Sequence, residues 1–356
     1  MNRKRVISIL SEIKEIKIAT GLKIIDTHVH PLDVMGVIHF AEVDNALVQA
    51  DCLSPGILER LNYGTVAKLL SKLAESLFPS QVNAVIRSSC ERVNEASILN
   101  EMDTALVDDA VLLPIEPWLS LKVIKDRFYS SRFIPLTSID IHNVSLDKID
   151  RILKNSIFNY RVKGIKLHPN LQNFKPRPKD NSEDIAEKLD AIYRFAEKEN
   201  LYLLFHGGIS LYSNYINPRY PQNIQRSKDN ALLKSFCDNN GVSDIFKNYR
   251  AQIVIAHLGH YEIANPDYKL IKKIVSKYDQ VYFDTAGVAT SLIKKSLDSV
   301  PSSKILFGSD AIYNRMAYNV AFTYQAIKET SNKEKKDDIV FNIFQNNFFR
   351  ITGNTS

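Results

Sequence analysis

The residues of this chain best suited to binding metals and moving protons gather at the ends of short apolar runs. "IIDTHVHP" at 24–31 places His28 and His30 two residues apart. In an extended strand such residues share a face, so Asp26, His28 and His30 point one way and Thr27 and Val29 the other. Two neutral imidazoles side by side over a carboxylate can present nitrogen lone pairs to a metal. A satisfied structural pair of histidines is the plain alternative for this motif taken alone.

The same pattern recurs downstream. Runs end in His168, His206, His257 and Asp310, with His260 just beyond, so six of the eight histidines lie at such ends and only His39 and His142 lie elsewhere. Three imidazoles and one carboxylate can hold a divalent cation with a position left open for water, whose pKa falls toward ~7 on the metal. Asp310 could accept that water's proton. A further imidazole could polarise a substrate or return a proton to a leaving group.

Eight apolar runs must position these groups: 23–28, 110–115, 132–139, 162–168, 201–206, 252–257, 281–286 and 304–310. Stretches of helical period separate most of them. The clearest is 182–199, with Ser182 as a cap, Glu183 and Asp184 in the first turn, and Ile185, Leu189, Ile192 and Phe195 along one face. Near-continuous apolar strands alternating with amphipathic helices indicate an α/β fold with a parallel sheet buried on both sides. Eight units predict a closed (β/α)₈ TIM barrel, whose C-terminal strand ends form a single face; an open doubly wound sheet is the alternative.

Val6, Leu10, Ile13 and Ile16 predict a short N-terminal helix, residues 1–21, packed on a single domain spanning 22–356. A helical insertion occupies about 31–109, including a helix at 66–78. The stretch 207–230, rich in Tyr, Asn and Pro, has the length of a binding loop, and its Arg219 and Arg226 are candidate carboxylate clamps. "SNKEKKDD" at 331–338 reads as a solvated turn between helices.

Composition narrows the partners. With 356 residues and 45% hydrophobic content the chain can bury a sizeable core. Its net charge is +6, but residues 1–23 carry six Lys or Arg against two Glu, so +4 of that sits in the leader. The remainder has no basic stripe that would track phosphates, which predicts no nucleic-acid partner. Three scattered cysteines, Cys52, Cys90 and Cys237, fit neither a disulfide framework nor a thiolate zinc site and suit a reducing cytoplasm. No apolar stretch is long enough to span a bilayer. The expected partner is a small-molecule substrate, with a homodimer as the default assembly.

"DTHVH", "GIKLHP", "FHGG", "IAHLGH", "YFDTAG" and "FGSD", in this order, resemble the amidohydrolase superfamily, and within it the amidohydrolase-related branch (amidohydrolase family 2). The likeness runs over about 22–353 and includes the closing "NIFQNNFFRITG". It implies a metal-dependent barrel in which His28, His30, His206 and Asp310 are ligands. Asp310 also handles protons, and His257 acts as acid–base or substrate polariser, or binds a second metal. Lys166 has three readings: a core ion pair, a substrate anion contact, or a carboxylated bridge between two metals. One metal is favoured, Zn²⁺ first, with Mn²⁺, Fe²⁺, Co²⁺ and Ni²⁺ compatible with the same donors. Lys166, His168 and Arg219 are substrate-binding candidates. Asp284 is left outside the ligand set as a supporting, substrate-facing or helix-capping residue, and His260 is read as a loop residue.

The expected activity is hydrolysis of an amide, lactone or ester of a small carboxylate-bearing molecule by a metal-activated water. A metal-dependent, non-oxidative decarboxylase of an aromatic or unsaturated acid is the alternative. A non-catalytic, metal-stabilised binding barrel is the third.

Overall fold

The computed structural model describes residues 1–32, 51–53, 77, 93–209, 227–260 and 266–353. Eight strands overlap the eight predicted runs. They are β1 (Ile25–Val29), β2 (Asp109–Leu112), β3 (Phe133–Pro135), β4 (Gly164–Leu167), β5 (Tyr202–Phe205), β6 (Ile253–Ile255), β7 (Val281–Asp284) and β8 (Ile305–Leu306). All pairings are parallel, in the orders β1-β2-β3 and β4-β5-β6-β7-β8.

Backbone hydrogen bonds join the two groups at both seams. Beyond β3, Thr137 N donates to Gly164 O at 3.0 Å and Lys166 N to Thr137 O at 2.7 Å. Across the other seam, Thr27 N donates to Phe307 O and Asp310 N to His28 O, both at 2.9 Å. The sheet therefore closes on itself, and the open doubly wound alternative falls away.

Alternation along each strand divides the core in two. Ile165 and Leu167 on β4, Leu203 and Phe205 on β5, and Val281 and Phe283 on β7 belong to the larger outer cluster with the helices. Tyr202, Leu204, Val254, Tyr282 and Leu306 form a smaller inner cluster, joined by Phe348 and Ile351 of the C-terminal helix Asn347–Thr352. That helix plugs the barrel floor, and burying each of these large side chains contributes roughly 1.5–3 kcal/mol. Toward the C-terminal strand ends the inward residues become polar: Lys166 and His168 follow Gly164, His206 follows Leu204, and Asp284 follows Tyr282. One end of the barrel is apolar and closed, and the other carries the chemistry.

The N-terminal helix Arg3–Thr20 starts at Asn2, whose side chain accepts from Arg5 N, and ends at Gly21 in the left-handed region (φ 72°). Val6, Ile9, Leu10 and Ile13 are buried. Arg5 bonds Gln325 and Lys328 pairs with Glu12, which fastens this helix to Met316–Glu329. The helix predicted at 182–199 is Glu183–Lys198; Ser182 stands at the cap position but its side chain makes no capping hydrogen bond. The predicted turn at 331–338 is shorter than expected, because a helix begins at Lys336.

Within the insertion expected at 31–109, the segment Glu95–Ala105 is helical. The helix predicted at 66–78 lies outside the described residues apart from Leu77, as do Cys90 and residues 210–226 with Arg219 and Arg226. Cys52 and Cys237 are buried. Among the described residues no helix is long and apolar enough to cross a membrane.

Candidate metal centre

The C-terminal ends of β1, β6, β7 and β8 bring the site together. His28 Nε2 lies 3.3 Å from His30 Nε2. Each of these nitrogens is 3.6 Å from Asp310 Oδ1. Ligand atoms of His28, His257 and Asp310 all fall within 4.8 Å of one another. His257 thus stands among the ligand candidates, beside the acid–base role expected for it. His206 enters through His257, their ring centroids being 4.8 Å apart.

Asp284 decides how two of these imidazoles face. Its Oδ2 is 2.9 Å from His28 Nδ1, and its Oδ1 accepts His257 N at 2.7 Å and Ala286 N at 3.1 Å. A buried carboxylate at Nδ1 assigns that nitrogen the proton and leaves the Nε2 lone pair for a cation. His257 Nδ1 is likewise 2.8 Å from Ala286 O, which leaves its Nε2 unprotonated. Asp284 therefore supports His28 at its ring and His257 at its backbone, and through Ala286 N it also braces the loop after β7.

Asp26 departs from the simple strand picture. The β1–β2 register shifts between Asp26 and Val29. Asp26 Oδ1 accepts His28 N at 3.1 Å and Ser309 N at 2.9 Å, so this carboxylate ties strand to loop instead of underlying the imidazoles.

Backbone conformation helps to aim the groups. His257 (φ 57°), Leu258 (φ 51°) and Asp310 (φ 62°) occupy the left-handed region, which costs a non-glycine residue on the order of 1 kcal/mol or more and concentrates at functional sites. Bonds from His257 N to Asp284 and from Asp310 N to His28 O hold two of them there. Close packing finishes the aim. A Cβ on Gly308 would lie 2.8 Å from the Cβ of His28, and one on Gly207 would lie 2.4 Å from Ala256 O.

Burial governs the electrostatics. It holds His28, His30, His168 and His206 well below the ordinary imidazole range, with positive charge on Lys166 adding to the effect. His257 is pushed down to about 4 by burial, against the opposing charge of Asp284. Burial also raises Asp310 well above the carboxylate range, raises Asp284, and lifts Asp26 to about 7. A set of neutral imidazoles around a carboxylate that strongly favours neutralisation is a donor set suited to a divalent cation. His30 Nδ1 and Asp26 Oδ2 are buried and find no partner among the described residues.

Lys166 is fully buried, and its ammonium is pulled down to about 8 by burial against the carboxylates of Asp284 and Asp310. Its Nζ finds no hydrogen-bond partner among the described residues, so the expected core ion pair is not made as a contact. His168 stacks on His206, centroids 4.1 Å apart and planes 10° apart. His260 is buried beside Tyr268, ring centroids 6.3 Å apart. Sequence reading missed Asn314, whose Nδ2 donates to Asp310 Oδ2 at 3.3 Å, and Tyr313, whose ring lies 5.5 Å from that of His30. The i+4 spacing from Asp310 was the available signal for Asn314; Tyr313 carried none.

Comparison with solved structures returns the same barrel. The chain is similar to 5-carboxyvanillate decarboxylase LigW from Sphingomonas paucimobilis (15% identity, 94% of this chain and 100% of that one, TM-score 0.54). It is similar to the 5-carboxyvanillate decarboxylase of Novosphingobium aromaticivorans, solved with manganese (15%, 94% and 96%, TM-score 0.55). It also resembles 2,6-dihydroxybenzoate decarboxylase from Rhizobium (10%, 93% and 99%, TM-score 0.53). No curated protein sequence matches the chain. The family model Amidohydro_2, described as amidohydrolase, matches residues 25–347, a span that takes in every residue of the cluster. The chain belongs to the Amidohydro_2 amidohydrolase family.

Proposed function

We propose that the protein is a metal-dependent hydrolase of an amide, lactone or ester in a small carboxylate-bearing molecule. The observation that carries this reading is Asp310, a buried carboxylate 3.6 Å from two imidazole Nε2 atoms and strongly disposed to take a proton. His28, His30, His206 and Asp310 would hold one divalent cation, with His257 near enough to join them. Bound there, the cation would supply Lewis acidity to a water or a carbonyl oxygen. Zn²⁺ suits the imidazole-rich set, and Mn²⁺ suits its carboxylate.

Asp310 takes the proton from the attacking water and can return it to the leaving nitrogen or oxygen. His257 keeps a neutral ring whose Nε2 can accept a hydrogen bond or proton from the substrate. Asp284 keeps the His28 ring in the required tautomer, and Ala286 O does the same for His257. Replacing Asp310 by Asn leaves the shape and removes the proton acceptor, so kcat is expected to fall about 10²–10⁴-fold. Undiminished hydrolysis by Asp310→Asn would sink the assignment.

A second reading draws on His257. A neutral imidazole beside the ligand cluster can relay a proton to a ring carbon as carbon dioxide leaves, which is what a non-oxidative decarboxylase requires. Assaying lactones, amides and esters for hydrolysis beside aromatic carboxylic acids for carbon dioxide release separates the two.

A further inference from the structure

The rings of His28 and His257 turn Nδ1 toward acceptors, Asp284 Oδ2 and Ala286 O. His168 does the reverse. Its Nδ1 accepts the backbone N–H of Leu171 at 3.3 Å, a contact only a lone pair can make. A neutral imidazole that accepts at Nδ1 must carry its proton on Nε2. We propose that His168 is the hydrogen-bond donor of this site, an Nε2–H imidazole that binds an anionic oxygen of the substrate, of the carboxylate class, and does not ligate metal.

The setting of His168 is built for a fixed orientation. His168 N donates to Gln172 Oε1 and Gln172 N donates to His168 O, both at 2.8 Å. Gln172 Nε2 in turn donates to Glu116 O at 2.9 Å and Ile139 O at 2.8 Å, so one buried amide clasps the loops after β2, β3 and β4. The stacked His206 ring fixes the plane of His168 and places it against the cluster.

Lys166 is a second, independent observation on the same inward face. It is a fully buried donor two residues earlier whose Nζ meets no acceptor among the described residues. A strand end offering a cation and an N–H donor is complementary to an anion. A lone-pair-bearing His168 would instead extend the ligand set.

The inference rests on the reading of the cluster as a metal-dependent active site, and its test separates the two. Long-range proton–nitrogen spectra of the ¹⁵N-labelled protein, metal-free and zinc-loaded, report which ring nitrogen of His168 bears hydrogen, with His168→Gln giving the assignment. Nε2–H with a bare Nδ1 is expected in both; hydrogen on Nδ1 overturns the proposal.

Benzoate, as the carboxylate probe, is then titrated into zinc-loaded wild type, His168→Gln and His168→Phe. Gln keeps an N–H near the place of Nε2 and is expected to retain benzoate binding. Phe is expected to weaken it roughly ten- to a hundredfold, with zinc content unchanged in both variants. Equal affinity in the Phe variant, loss of its zinc, or no benzoate binding by zinc-loaded wild type overturns the proposal. Failure of wild type to take up any metal would count against the proposed function and leave the tautomer result standing.

Discussion

Asp284, at the end of β7, grips His28 of β1 at the same end of the barrel, Oδ2 to Nδ1 at 2.9 Å, with both side chains fully buried. Two strands far apart in sequence thereby set the tautomer of one candidate ligand. Its second oxygen holds the backbone of His257, so one carboxylate orients two imidazoles.

Asp284→Asn keeps the shape but turns an acceptor into a possible donor at His28 Nδ1. The proton is then driven to Nε2, where a cation should bind. Metal affinity is expected to drop about 10–100-fold, as for other supporting partners of metal-bound histidines. Competition against a chromophoric chelator measures it, and unchanged affinity would refute this role for Asp284.

Gly308→Ala tests aim without removing any polar group. The added Cβ would fall 2.8 Å from the His28 Cβ and 3.1 Å from that of Ala286, so β1 or the loop after β7 must move. A displacement of about 1 Å at such a site can cost on the order of 10²-fold in activity. Turnover should collapse while the circular dichroism spectrum stays native; wild-type turnover in Gly308→Ala would show that the aim of His28 does not depend on this packing.

Metal removal is expected to lower stability. A divalent ion present at about a hundred times its Kd contributes about 2.7 kcal/mol to the folded state. Calorimetry before and after chelation, with Zn²⁺ or Mn²⁺ added back, should show Tm fall and recover. A Tm indifferent to both ions would contradict the cation site.

His260 contributes a pH dependence. Burial pushes its imidazole down to about 4, against the charge of Asp267. The unfolded chain therefore binds the proton first, and stability falls as pH drops from about 6.5 toward 4, by at most about 3 kcal/mol. Above the unfolded value this loss vanishes. His260→Gln should flatten the slope of unfolding free energy with pH in that window, as measured by denaturant titration; an unaltered slope rules out the His260 contribution.

Phe348 carries the floor of the barrel. It is buried at 3% exposure, with its ring centroid 6.4 Å from that of Tyr202. Phe348→Ala should cost about 3–5 kcal/mol of stability. A loss below 1 kcal/mol would mean that the C-terminal helix is not part of the core.

Much of this was legible in sequence because it is local. Period-two alternation in "VKGIKLH" put Lys166 and His168 on one face, and the position of His206 at the end of the apolar run "LYLLFH" marked it as a strand-end residue. The helical period of 183–198 and the N-terminal helix were local in the same sense. The site residues could be named because strand ends in a barrel converge on one face.

What the sequence could not decide is relational. Whether the sheet closes depends on hydrogen bonds between Thr27 and Phe307 and between Thr137 and Gly164. In the sequence Asp26 stood beneath the two imidazoles of its own strand, while Asp284 had three open roles. The register shift in β1 turned Asp26 to backbone N–H groups, while β7 brought Asp284 to His28. The opposite proton placements of His28 and His168 were equally invisible, since a tautomer is set by whichever group the tertiary fold brings to Nδ1. Strand periodicity is a property of neighbouring residues, and it specified the elements. The state of each imidazole follows from partners that lie close in space and far apart along the chain, which only the folded barrel brings together.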